Sequence, residues 1–159
     1  MKQLVYNGIH LFIPERYCIP EFLDRFKHGA YEKDDVAAIS SMGLIHNCLE
    51  LGSCVGYTSA ILSRKAKNVV SVEANPEMFP ALDFMRRENN IDNLIFVNCM
   101  VDSESTSRTF YTYDLAIAGS ADRDDREDPD KRGIWKKNIR KYEVPCKTIE
   151  DLEKCNNGH

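Results

Sequence analysis

Ile45-His-Asn-Cys-Leu-Glu-Leu51 runs into Gly52-Ser-Cys-Val-Gly-Tyr-Thr58, and Val69-Val-Ser-Val-Glu73 follows, with Glu73 standing 21 positions after Gly52. The first apolar segment reads as a buried strand, the glycines as a turn, and Tyr57 onward as a helix. The second apolar segment reads as another strand that ends on a carboxylate. A strand, a glycine turn, a helix and an acid about 20 positions on form the unit that holds nucleotide-type cofactors. The glycines let the backbone come close, and the acid accepts ribose hydroxyls.

The details of the turn bear on which cofactor. A nicotinamide site calls for G-x-G-x-x-G, whose second glycine leaves room for a pyrophosphate at the helix N-terminus. Here the glycines are Gly52 and Gly56, with Cys54 and Tyr57 where that fingerprint wants the other two. Glu50, two residues ahead of the first glycine, is also a poor neighbour for a diphosphate. A cofactor with a positive charge suits it better. S-adenosylmethionine carries a sulfonium and an amino group, and Glu50 is expected to hold that charged end.

The segments Glu50-Leu-Gly-Ser-Cys-Val-Gly-Tyr-Thr-Ser59, Val69-Val-Ser-Val-Glu-Ala-Asn-Pro76 and Asn98-Cys-Met-Val101 together resemble the FkbM family of S-adenosylmethionine-dependent methyltransferases. The lead-in Gly29-Ala-Tyr-Glu32 and the late Thr148-Ile-Glu-Asp-Leu152 are similar to that family's pattern, in order and spacing. The resemblance covers roughly residues 25–155. It implies an α/β fold with a Rossmann-like class I methyltransferase sheet and an N-terminal hairpin and helical extension. In the family a strand with an Asp-x-Glu-Gly-type motif soon follows the Thr-Ile-Glu-Asp-Leu-like helix. Residues 1–159 do not contain it, so the sheet is expected to be incomplete at the C-terminus, with turnover in more doubt than binding.

The expected cofactor-binding residues are Glu50, Gly52, Ser53, Gly56, Tyr57, Thr58, Glu73, Ala74, Asn98 and Cys99. Gly52 and Gly56 are backbone-approach positions. Tyr57, Thr58 and Ser59 stand at the helix start, where free amides and hydroxyls meet a carboxylate. Ser53 and Ala74 lie inside the two quoted motifs. Glu73 takes the ribose, and Asn98 to Val101 the adenine. Tyr31 and Glu32 follow the lead-in and are placed to close over the cofactor. No catalytic set emerges from spacing. His10, His28, His46 and His159 show no zinc-type pairing, and His46 reads as a core histidine. No metal is expected.

Working outward, Asn7-Gly8 between two apolar runs predicts a hairpin over residues 3–13. Residues 20–42 predict two helical pieces broken near Gly29, with Asp34 or Asp35 as a cap. Tyr57 to Ala66 predicts the first helix of the cofactor unit. The second starts at Asn75 and Pro76, and Leu94 to Asn98 is the third strand. This alternation predicts a parallel sheet with right-handed crossovers. Phe110 to Ala118 and Ile139 to Val144 read as β-segments. The charged stretch Ser120 to Gly133 between them, with little to bury, reads as a solvated loop. Thr148 and Asp151 form a capping box for a terminal helix.

With 159 residues the chain supports one domain that buries about 70% of its unfolded surface. Its formal net charge of −4 offers no basic field for nucleic acid or an anionic membrane. The six cysteines include no C-x-x-C pair and read as free thiols in a reducing compartment. The first residues lack a basic-then-apolar signal, and no apolar run reaches a membrane span. A cytoplasmic protein is expected.

The leading expectation is O-methylation of a small molecule or glycan. The alternative is a truncated or split methyltransferase-like domain that binds cofactor or a partner chain without catalysis. In that case the strand at 45–51 becomes a bare sheet edge, covered by a second copy or a complementary chain. A nucleotide-dependent oxidoreductase is disfavoured by Cys54 and Tyr57.

Overall fold

A computed structural model describes residues 1–114, 119, 121 and 139–156. Strands β1 (Lys2–Tyr6) and β2 (Ile9–Ile13) pair antiparallel around Asn7 and Gly8. Both turn residues have positive φ, 48° and 77°, which is what a two-residue hairpin turn needs to match strand twist. Alternation then buries Ile9, Leu11 and Ile13 completely.

Helices α1 (Pro20–Lys27) and α2 (Lys33–Ser41) follow, interrupted around Gly29 at φ 64°. The expected cap of α2 needs correction. Glu32 is the N-cap, in the left-handed region (φ 52°, ψ 28°), and its side chain makes no capping hydrogen bond. Asp34 and Asp35 lie inside the first turn, where their charge favours the positive helix end.

The central unit runs β3 (Ile45–Leu51), α3 (Tyr57–Ser63), β4 (Ala66–Glu73), α4 (Phe79–Glu88) and β5 (Leu94–Asn98). Its three strands are parallel in the order β3-β4-β5. Helix α3 ends three residues earlier than the sequence suggests, and β4 begins at Ala66 instead of Val69. Asn93 Nδ2 donates to the carbonyls of Ser63 and Ala66, at 2.9 Å each, and satisfies the helix end from a distant loop. Such a cap has no local sequence signal. The entry to α4 matches the sequence: Asn75 accepts from the Glu77 amide at 3.1 Å, and Pro76–Met78 form a 3₁₀ turn leading into the helix.

Beyond the unit, β6 (Met100–Val101), β7 (Ser107–Thr112) and β8 (Arg140–Lys147) form a mixed sheet in the order β6-β8-β7. Helix α5 (Ile149–Asn156) closes the described chain, and the Thr148 hydroxyl accepts from the Asp151 amide at 3.2 Å. The Asp151 carboxylate binds Ser105 and Lys154, so only half of the capping box forms. The expected charged loop 120–133, apart from Ala121, and residues 115–118 lie outside the described residues.

Both faces of the parallel sheet are covered, as such sheets require. The larger core packs the hairpin and α1 to α4 over one face through Ile9, Leu11, Phe22, Val55, Leu82 and Leu94. On the other face Leu152 of α5 packs with Val72 and Cys99. The buried reading of β3 is corrected. Among the described residues it is an edge strand, half-buried along most of its length, with Leu44 93% and Leu51 55% exposed. An apolar sequence reports the strand, and sheet order decides whether it is inside. His46 on this edge is exposed, so the core-histidine reading is corrected with it. All six cysteines are free, and Cys99 and Cys146 are buried. Among the described residues no helix is long and apolar enough to cross a membrane.

Candidate functional site

A cavity of about 440 Å³ opens at the carboxyl ends of the parallel strands, where ligands bind in open α/β sheets. Leu51 and Gly52 contribute from β3 and its turn, Val72, Glu73 and Ala74 from β4, and Cys99 to Val101 follow β5.

Glu73 ends β4 and is only 8% exposed. Its Oε2 accepts from the Cys54 amide and its Oε1 from the Asn75 amide, both at 2.7 Å. Burial pushes the carboxyl above its ordinary range, while the amides of Asn75, Cys54 and Ala74 pull it back. A carboxylate offers about four lone-pair sites. The three backbone amides draw on these sites, the two shortest contacts coming from Cys54 and Asn75.

The turn is built to deliver the Cys54 amide. Gly52, Cys54 and Gly56 all have positive φ (89°, 49° and 78°). The Gly52 and Ser53 amides share the Val72 carbonyl at 2.8 and 3.0 Å, which pins the turn to β4. The Ser53 hydroxyl meets Ser71 at 2.7 Å and is buried beneath the turn.

The two glycines, alike in sequence, do different things. Gly52 lines the cavity, and a Cβ there would meet nothing within 4 Å. A Cβ on Gly56 would stand 2.5 Å from Met85 Cε and 3.0 Å from Leu82 Cδ2. Gly56 is therefore a packing position that seats α4.

Several other expected residues stand apart from the cavity. Glu50 accepts from the hydroxyls of Thr58, Ser59 and Ser71, which fastens the start of α3 to β3 and β4. It lines a neighbouring cavity of about 380 Å³ with Asp35, Ile39, Met42 and Leu62. Tyr57 is 2% exposed, meets Tyr6 edge-on at 4.8 Å, and its hydroxyl accepts from Asn7 Nδ2 at 2.8 Å. Asn98 Nδ2 donates to the carbonyls of Glu73 (2.8 Å) and Ala74 (3.2 Å), bracing β5 against the end of β4. The structure thus brings Gly52, Glu73, Ala74 and Cys99 together at the cavity. Ser53, Gly56 and Asn98 support its walls, and Glu50, Tyr57 and Thr58 lie behind it.

Two lead-in residues separate as well. Tyr31 is buried and stacks on Phe26 at 4.2 Å, whereas Glu32 lines both cavities. Burial and the neighbouring Asp35 push the Glu32 carboxyl up to about 7. Leu51, Val72, Phe110, Gly119 and Ala121 were not expected at the site. A Cβ on Gly119 would stand 2.3 Å from Phe110 Cζ, so that glycine lets its segment lie against the ring. No motif in the sequence marks either residue.

The Cys54 thiol lines the cavity too, and burial pushes it up to about 12, so it is a neutral thiol with no nucleophilic character near neutral pH. His28 faces Asp24 on α1, and His10 lies near Gln3 on the hairpin. Among the described residues no group of three or more His, Cys, Asp or Glu side chains is placed to hold a metal ion.

No protein-family model matches the chain, and no curated protein sequence matches it. Solved structures are similar to parts of it. Trm5b from Pyrococcus abyssi matches at 16% identity and a TM-score of 0.44, over 60% of this chain and 28% of that one. A tRNA methyltransferase from M. jannaschii matches at 11% identity and a TM-score of 0.43, over 70% of this chain and 43% of that one. A protein-L-isoaspartate O-methyltransferase matches at 26% identity and a TM-score of 0.36, over 44% of this chain and 23% of that one. The matched region spans less than half the length of each of these proteins. The α/β, Rossmann-like character of this chain rests on its own parallel β3-β4-β5 sheet with helices on both faces.

Proposed function

We propose that this chain binds S-adenosylmethionine and is a methyltransferase of the FkbM type, acting on an oxygen of a small molecule or glycan. The observation that carries the reading is Glu73. It is a buried carboxylate at the carboxyl end of a parallel strand, held by backbone amides and with a cavity in front of it. Ribose hydroxyls are donors suited to such a carboxylate. Charge-assisted hydrogen bonds of this kind are worth about 1.5–3 kcal/mol each.

The remaining lining suits the rest of the cofactor. A volume of about 440 Å³ falls within the usual range for small-molecule sites. Met100, Val101 and Phe110 offer apolar walls to a flat ring, and Gly52 leaves its side of the cavity open. When bound, S-adenosylmethionine supplies a methyl group already activated by its sulfonium. The tasks left to the protein are to bind, to orient an acceptor and to exclude water.

Isothermal titration of the full chain with S-adenosylmethionine tests the reading. Saturable binding at micromolar to millimolar ligand is expected, and its absence at millimolar ligand overturns the proposal. Titration with NAD in parallel distinguishes the oxidoreductase reading.

One observation favours a second reading, a domain that binds cofactor or a partner chain without turnover. Strand β3 is an edge of its sheet among the described residues, with exposed Leu44 just before it and exposed Leu51 at its end. Such an edge is a template for strand pairing. Size-exclusion chromatography with light scattering is its test: a stable monomer across micromolar concentrations counts against a second copy on this edge.

A further inference from the structure

We propose that Glu32, and not Glu50, is the carboxylate that faces the cationic end of the bound cofactor. This inference rests on the S-adenosylmethionine reading and assigns a residue to the part of the ligand that the Glu73 end does not address. Glu50, the acid just ahead of the glycines, is committed elsewhere. Three hydroxyls, those of Thr58, Ser59 and Ser71, donate to its two oxygens, and it is absent from the lining of the cavity that holds Glu73. Glu32 is in that lining. It stands with Leu51 and Gly52 where the two cavities meet, so Glu32 and Glu73 border one space.

The backbone supports a placed side chain. Glu32 has φ 52°, a conformation unfavourable for a residue with a Cβ and one that in native folds clusters at functional sites. Its carbonyl starts α2 by accepting from the Val36 amide at 2.9 Å. At an N-cap a Glu side chain can also turn back onto the first helical amides, and this one does not. On its other side Tyr31 is stacked against Phe26, which anchors the lead-in.

The electrostatic surroundings explain why such a carboxylate would want a cation. Burial first, then a side-chain hydrogen bond and charge repulsion from Asp35 on α2, and least of all Glu50 on β3, push it toward the neutral acid, and Arg25 on α1 opposes them. Tyr31 and Cys54 are the other titratable neighbours, and both carry neutral side chains near pH 7. With its carboxyl raised to about 7, Glu32 is roughly half protonated at neutral pH. A sulfonium or ammonium group in the cavity supplies the missing positive charge and displaces the proton. Affinity for a cationic ligand should therefore rise as pH rises through about 7, while affinity for an uncharged nucleoside should not. Each unit by which the ligand lowers the Glu32 pKa adds up to tenfold in affinity.

The test is isothermal titration of the full chain with S-adenosylmethionine and with adenosine, at pH 6 and pH 8, for wild type, Glu32→Gln and Glu50→Gln. Adenosine carries the ribose and the ring without the charged end, and its binding also reports that each variant retains a folded site. The expected result is that Glu32→Gln weakens S-adenosylmethionine by about tenfold at pH 8 and flattens its pH dependence, with adenosine affinity unchanged. Equal weakening of both ligands would overturn the inference and make Glu32 a structural support. Loss of S-adenosylmethionine selectivity in Glu50→Gln and not in Glu32→Gln would overturn it in favour of Glu50. Wild-type binding of adenosine with no preference for S-adenosylmethionine at either pH would overturn the charge assignment and leave the nucleoside site standing. Failure of wild type to bind either ligand would overturn the proposed function and this inference with it.

Discussion

Replacing each turn glycine by alanine separates two roles that the sequence leaves merged. Gly52 and Gly56 both have left-handed φ, 89° and 78°, so alanine meets a backbone penalty of about 1–2 kcal/mol at either position. Only Gly56 adds a packing penalty. Its new Cβ would lie 2.5 Å from Met85 Cε and 3.0 Å from Leu82 Cδ2, both buried side chains of α4. Overpacking of this kind costs about 1–3 kcal/mol, and the flexible end of Met85 argues for the lower part of that range. Gly56→Ala should then lose about 2–4 kcal/mol, and Gly52→Ala about 1–2 kcal/mol. For a chain of this size the first corresponds to a fall in Tm of about 5–15 °C. Ligand binding should rank the two the other way. A Cβ on Gly52 enters the cavity and should weaken S-adenosylmethionine by about tenfold, whereas folded Gly56→Ala keeps its affinity. Thermal and urea unfolding followed by circular dichroism give the stabilities, and titration well below each Tm gives the affinities. Equal stability losses, or a larger loss at Gly52, would refute the assignment of Gly56 to packing.

Other consequences are as direct. Glu73→Ala removes the acceptor for the amides of Cys54, Ala74 and Asn75 and for the ribose, and titration should show S-adenosylmethionine weakened by at least about tenfold. Glu77 accepts from Arg16 at 2.9 Å, from Arg140 at 3.0 Å, from Tyr17 at 2.7 Å and from Tyr142, and its side chain is 14% exposed. Glu77→Ala therefore leaves the Tyr17 hydroxyl without its acceptor and part of the Arg16 charge unpaired, and urea unfolding should show a loss of about 3–5 kcal/mol. Burial alone would raise the Glu77 carboxyl, but the Tyr142 and Tyr17 hydroxyls and Arg16 outweigh it and hold it below the ordinary range. That stability is present above the unfolded pKa of about 4.3 and is lost as pH falls through the lower folded value. Acid unfolding of Glu77→Gln should accordingly show a shallower loss in that window. At pH 8 the Cys54 thiolate fraction should be about a thousandfold below that of a free cysteine. Iodoacetamide labelling read by peptide mass spectrometry should leave it unmodified while the unfolded chain reacts.

The hairpin, the α4 entry and the third strand were legible because their causes are local. Asn7-Gly8 supplies two positive φ values in a row, and Asn75-Pro76 supplies a cap and a preset φ. Glu73 was legible for a related reason, since strand length and crossover length fix where a strand-end acid falls. Glu50 and Tyr57 stand away from the cavity because their partners are distant in sequence. The hydroxyls that occupy Glu50 come from α3 and β4, and the Asn7 amide that meets Tyr57 comes from the hairpin. The lead-in pointed to Tyr31 and Glu32 together, and only the packing of Tyr31 on Phe26 separated them, leaving Glu32 at the cavity.

Residue order alone specified a strand, a left-handed glycine turn, a helix and a terminal carboxylate, because backbone sterics and apolar spacing act over a few residues. It also specified a chain of net charge −4 with six cysteines and no zinc-type spacing. Packing in three dimensions made the remaining choices. It gave one glycine to the cavity and the other to Met85, closed Glu50 behind three hydroxyls, brought Glu32 to the cavity wall and left β3 at the edge of its sheet. Those outcomes depend on contacts between segments tens of residues apart, and no local pattern carries them.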